Sequence, residues 1–193
     1  MRSYGYFIAV LAVISIIIIG AIFVIKPTAP INTSGTASQK IIMSNYASNN
    51  SSEVSFTQDG ITNADELHRS IKITVNNHLT NLTVFSGYQG RILKSQTIAN
   101  NVDSYREFLA SLQKSGFDNQ RKIDSSITLI GQCPLGYKYV LGASGFLNTP
   151  KTLWTTSCSS VKGTFAGKIT IIEQLFHNQL PNYNDFVADV ELQ

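Results

Sequence analysis

Apolar and polar positions change rhythm several times along the chain. Residues 7–25 read FIAVLAVISIIIIGAIFVI, nineteen positions without a charge or a proline. As a helix rising about 1.5 Å per residue, such a run spans the roughly 30 Å hydrocarbon core of a bilayer. Tyr4 and Tyr6 precede it at headgroup level, Lys26 closes it and Pro27 stops it. The run is longer than the apolar region of a cleaved signal peptide, and no small-x-small site lies close behind it. The pattern predicts a short cytoplasmic tail over 1–6 and a retained single-pass anchor over 7–26. Residues 27–52 then lose all periodicity. Nineteen of these twenty-six are Pro, Thr, Ala, Asn, Ser or Gly, so they read as a flexible polar linker.

From Glu53 onward the pattern is that of a folded domain, 53–193. Val54 and Phe56 alternate with polar neighbours ahead of the Asp59-Gly60 turn. Ile71, Ile73 and Val75 alternate in the same way, and Leu82 with Val84 continues the alternation after the Asn76-Asn77-His78 turn. A strand over 91–98 follows the Gly87–Gly90 turn, so 69–98 predicts a three-stranded antiparallel meander. Val102, Tyr105, Leu109 and Leu112 then shift to helical spacing, with Ser104 and Glu107 at capping-box separation, Asp103 as a competing cap, and Gly116 as a stop. Further strands are predicted over 127–133, 137–143 and 152–157. A helix follows over 170–177, capped by Thr170 with Glu173, and a short one over 182–190. The expected fold class is α+β: about six antiparallel strands with two to three helices packed on one face.

Charge sharpens this division. The chain carries fifteen Lys and Arg against twelve Asp and Glu, a formal net charge of +3. Arg2, Lys26 and Lys40 account for that excess, because every acid lies at Glu53 or later. The domain is therefore neutral, and a nucleic-acid partner is not expected. The expected partners are the membrane, through the anchor, and an envelope polymer or a surface protein. Within the domain the charges are unevenly placed. Six bases and one acid, Asp124, lie between Arg121 and Lys168, interleaved with aromatic residues. Lys138, Tyr139, Lys151, Trp154, Lys162 and Lys168 form a candidate ligand patch for an anionic glycan or an acidic partner.

The chain has two cysteines, Cys133 and Cys158. They bracket two predicted strands, and outside the cytoplasm an isolated pair of this kind is expected to be a disulfide. That expectation supports an extracytoplasmic C-terminal domain. No residue set matches a metal, cofactor or catalytic motif. GTFAGK over 163–168 lacks the spacing and the Ser or Thr of a phosphate loop. His68, beside Asp65 and Glu66, reads as a surface histidine at a strand start.

Two resemblances bear on function. Thr152-Leu153-Trp154-Thr155 resembles the first four positions of the T-L-x-T-C motif of sortases, which are N-terminally anchored transpeptidases with a β-rich domain. The resemblance implies Cys158 as nucleophile. The chain departs from it in carrying Thr156 where the Cys belongs, and in having no Arg after Arg121. More broadly, the anchor, the spacer and the segments Cys133-Pro134-Leu135-Gly136 and Trp154-Thr155-Thr156-Ser157-Cys158 resemble uncharacterised N-terminally anchored envelope proteins of reduced-genome bacteria. That resemblance implies location and organisation and carries no activity. The expected function is a membrane-anchored, extracytoplasmic, non-catalytic binding or envelope-associated domain, with sortase-like transpeptidation as the alternative.

Overall fold

The computed structural model describes residues 42–146 and 151–192. The apolar run and anchor over 7–26 and most of the linker lie outside the described residues. Among the described residues no helix is long and apolar enough to cross a membrane.

Six strands form one antiparallel sheet: β1 (Glu53–Asp59), β2 (Arg69–Asn76), β3 (Leu79–Ser86), β4 (Arg91–Ala99), β5 (Lys138–Ser144) and β6 (Lys151–Thr156), in the spatial order β4-β3-β2-β1-β5-β6. The meander expected over 69–98 is present and extends to β1. That strand is central, because its second edge pairs with β5. Period-two alternation builds the two faces. Leu82, Ile73, Phe56, Leu141 and Leu153 occupy consecutive partner positions across five strands and point to one side. Their neighbours in the next row, Thr83, Lys72, Thr57, Val140 and Trp154, point to the other.

The apolar side is covered by helices. Helix α1 (Val102–Lys114) buries Tyr105, Phe108, Leu109 and Leu112, one stripe at i, i+3, i+4 and i+7. Helix α2 (Ile169–His177) contributes Ile172 and Phe176. The Phe176 ring lies 5.6 Å from that of Phe56 on the sheet and 5.2 Å from that of Phe108 on α1, so it joins all three elements. A third helix, α3 (Tyr183–Val187), is shorter than the segment expected over 182–190. Local signals act differently from expectation at two helix starts. The Asn101 side chain caps α1 by accepting from the Ser104 amide at 2.9 Å, three positions earlier than a Ser104–Glu107 box would start. At α2 the cap position is Lys168, with no side-chain cap, so Thr170 and Glu173 lie inside the helix.

Two larger expectations are corrected. The folded part begins before Glu53: Met43–Tyr46 forms a 3-10 turn, Met43 and Ala47 are buried in the core cluster, and Ser52 is fully buried. The polar composition of 42–52 hid these few apolar anchors. Residues 127–133 are a looped segment and contain no strand. Both edges of β5 are taken, by β1 and β6, so the sheet offers that segment no edge beside the strand that follows it.

Candidate functional site

Strand register puts the C-terminal ends of β1, β3 and β6 at the same end of the sheet as the starts of β2, β4 and β5. Four loops meet there: 60–68, 87–90, 127–137 and 157–163. They are cross-linked by several kinds of bond.

The covalent link is the disulfide between Cys133 and Cys158, with the Cα atoms 5.7 Å apart, as the sequence led us to expect. Cys133 has φ +50°, a left-handed conformation unusual for a residue with a side chain. Gly136 makes room for the bridge: a Cβ there would stand 2.6 Å from Cys133 Sγ and 2.5 Å from Ser157 Oγ. The same Ser157 Oγ accepts from the Tyr137 amide at 2.9 Å. With both sulfurs in the bridge, Cys158 is not a free thiol, and a sortase-like reaction has no nucleophile in this state.

Backbone bonds extend the frame. The Thr62 amide donates to the Pro134 carbonyl at 2.7 Å, joining loop 60–68 to the disulfide loop. The Tyr88 amide donates to Asp65 Oδ1 at 2.7 Å, and the Tyr88 hydroxyl donates to the Asn63 carbonyl at 2.9 Å. These two bonds tie loop 87–90 to loop 60–68. Within 121–137, the Ser126 amide and hydroxyl both donate to Asp124 Oδ1 and hold its carboxyl below the usual aspartate range.

Under the loops lies an ionic cluster that sequence reasoning missed. Asp59 Oδ1 is 2.8 Å from His68 Nε2, and Asp59 Oδ2 accepts from Lys138 Nζ at 3.2 Å. Lys138 Nζ also donates to the Gly60 carbonyl at 3.0 Å. His68 Nδ1 faces the Ile61 carbonyl at 3.1 Å, and its ring stacks on Tyr88 with centroids 4.0 Å apart. Both ring nitrogens face oxygen acceptors, so both bonds form together only when each nitrogen carries a hydrogen. His68 is buried, contrary to its reading as a surface residue, and Lys138 is buried too. Nothing in the spacing of Asp59, His68 and Lys138 signals the cluster, because the sheet register is what assembles it.

Above this frame the loops present apolar side chains to solvent. Ile130 and Leu135 are 88% and 86% exposed, with Ile127 and Tyr137 beside them in sequence. Leu67 and Tyr88 are exposed on the two neighbouring loops. An exposed apolar cluster of this kind marks an interaction surface more often than a single exposed residue does.

The six residues of the candidate ligand patch do not share one surface. Tyr139 points into the core and stacks on Phe56 at 6.1 Å. Lys138 and Trp154 lie on the opposite side of the sheet, both buried. The 157–163 loop closes over Trp154, and a Cβ on Gly163 would collide with the Trp154 carbonyl and indole. Lys151 donates to the Asp118 carbonyl at 2.9 Å. Lys162 and Lys168 alone of the six are exposed. Alternation along β5 and β6 separates these residues, which sequence proximity had grouped.

A concave region of about 460 Å³ lies along α2 and α3 and is lined mainly by polar side chains, among them Gln174, Asn178, Asn182 and Asp185. At its wall the His177 ring stacks on Tyr183 with centroids 3.7 Å apart. His177 Nε2 is buried without a hydrogen-bond partner among the described residues, and desolvation pulls the imidazole down to about 4. Burial also pushes the Tyr183 phenol and the Glu173 carboxyl up. Among the described residues no group of three or more His, Cys, Asp or Glu side chains could hold a metal ion.

Comparison with protein-family models and with curated proteins gives no match to this chain.

Proposed function

We propose that the protein is a single-pass membrane protein displaying a non-catalytic binding domain outside the cytoplasm, with the cross-linked loop end of the sheet as its contact surface. The observation that carries this reading is the Cys133–Cys158 bridge. A disulfide persists in an oxidising compartment, and this one fixes loops whose apolar side chains stand in solvent. The nineteen-residue apolar run supports the anchor, and the neutral charge of the domain argues against a nucleic-acid partner. A rigid frame under exposed apolar groups suits binding, because little chain entropy remains to be lost on contact.

The test is labelling of the full chain in intact cells with a membrane-impermeant maleimide. The expected result is no labelling until an impermeant reductant is added, and labelling of both cysteines afterwards. Labelling of Cys158 without reductant would return the transpeptidase reading. Silence after reduction, with labelling restored by lysis, would place the domain on the cytoplasmic side.

A further inference from the structure

We propose that the loop end of the domain docks on a lipid bilayer, inserting Ile130 and Leu135 into the interfacial region. The inference rests on the binding-domain reading and names its partner. Three observations converge on lipid. First, Ile130 and Leu135 project from turns with nearly all of their surface in solvent. Single projecting aliphatic side chains need no preshaped pocket in a bilayer, whereas a protein partner would have to supply one. Second, the ring of side chains behind these tips has the composition of a membrane interface. Tyr137 and Tyr88 are exposed aromatics with polar ends, and Arg91 at the start of β4 and Lys162 on the 157–163 loop are exposed cations. Asp65 and Glu66 stand on the 60–68 loop at the same end, so the charge is nearly balanced and apolar transfer supplies most of the attraction. Third, sixteen residues, 26–41, separate the apolar run from the first described residue. Fully extended they reach about 50 Å. A bilayer holding the apolar run is then within reach of the domain.

The disulfide fits this role. It fixes Cys133 between Ile130 and Leu135, so Leu135 stands inside the ring that the bridge closes and Ile130 three residues before its anchor, and less chain remains to be ordered on contact. The bond from the Thr62 amide to the Pro134 carbonyl braces the same turn from the neighbouring loop.

The experiment uses residues 42–193, because the core cluster lies wholly between Met43 and Leu180 and the domain carries its own core. Flotation with vesicles of equimolar phosphatidylcholine and phosphatidylglycerol is compared for the native domain and the double variant Ile130→Ser, Leu135→Ser. Both positions are exposed, so the variant is expected to fold, and an intact disulfide with native near-UV circular dichroism confirms it. The expected result is flotation of the native domain that survives high salt, falling about tenfold or more in the variant. Amides of 127–137 should gain hydrogen-exchange protection on vesicles. Failure of the native domain to float, or equal flotation of the variant, overturns the proposal. So does loop protection that rises with protein concentration in the absence of lipid, which would assign the surface to protein contact. None of these outcomes depends on the apolar run, so failure here leaves the labelling result for the full chain standing on its own.

Discussion

Asp59 shows how much a single carboxylate can hold when register brings partners to it. Its two oxygens bond His68 and Lys138, and both partners are more deeply buried than the carboxylate itself. Removing the acid would leave two buried donors facing no anion, whereas removing Lys138 would leave Asp59 with His68 and partial access to water. Asp59→Ala is therefore expected to cost about 3 kcal/mol of unfolding free energy, and Lys138→Met clearly less. Urea denaturation of both variants measures the order. A larger loss for Lys138→Met would mean that Lys138 acts chiefly through its bond to the Gly60 carbonyl. None of this was legible beforehand. Asp59 marked a turn with Gly60, His68 marked a strand start, and Lys138 looked like one base among several. Each reading was local, and the cluster exists because β1 pairs with β2 on one side and with β5 on the other.

At the level of elements, pattern and structure agree wherever a long periodic segment decides its own state. The i, i+3, i+7 spacing of α1 and the alternation of β2 are such cases, since one face of each is apolar and the other is not. Residues 127–133 are the opposite case. Ile127, Leu129 and Ile130 gave a strand-like alternation and run, but no free edge beside β5 was available, so these residues remained in the loop and Ile130 in solvent. Helix α2 carries a property that its spacing did not suggest. His177 is neutral in the fold down to about pH 4, against an ordinary value of 6.5. The unfolded chain therefore binds a proton over that window while the folded chain does not, and stability falls as pH drops from about 6.5 to about 4. Glu173 on the same helix acts in the other direction, because its raised carboxyl gains a proton first in the fold. The variant His177→Phe keeps a ring against Tyr183 and leaves Glu173 in place. Between about pH 7 and about pH 4.5 it should lose less stability than the native domain, by on the order of 1 kcal/mol after allowance for part exposure. Urea midpoints at the two pH values read the difference, and identical losses would remove His177 from the acid response.

Among the described residues, stability is divided between two regions at different places on the sheet. The core, from Phe56 and Ile73 to Phe108 and Phe176, lies under the helices and contains neither cysteine. The loop end is held by the disulfide, the Asp59 cluster and a few backbone bonds, with little apolar burial of its own. The pairing of the two cysteines was legible from their number and from a domain expected outside the cytoplasm. The surface they hold was not, because exposure of Ile130 and Leu135 depends on how the loop closes. Reducing the bridge should therefore act in two stages. Chain entropy for a separation of 25 residues puts the global loss at about 3.5 kcal/mol. Before any global unfolding, amides of 131–137 and 157–161 should lose hydrogen-exchange protection while those of Phe56, Ile73 and Leu82 keep theirs. The variant Cys133→Ser, Cys158→Ser should behave like the reduced protein in both respects. A uniform loss of protection across sheet and loops would show that the bridge holds the entire fold. It would also mean that the loop end has no stability separable from the core, and a rigid contact surface supported by a local cross-link would have to be given up.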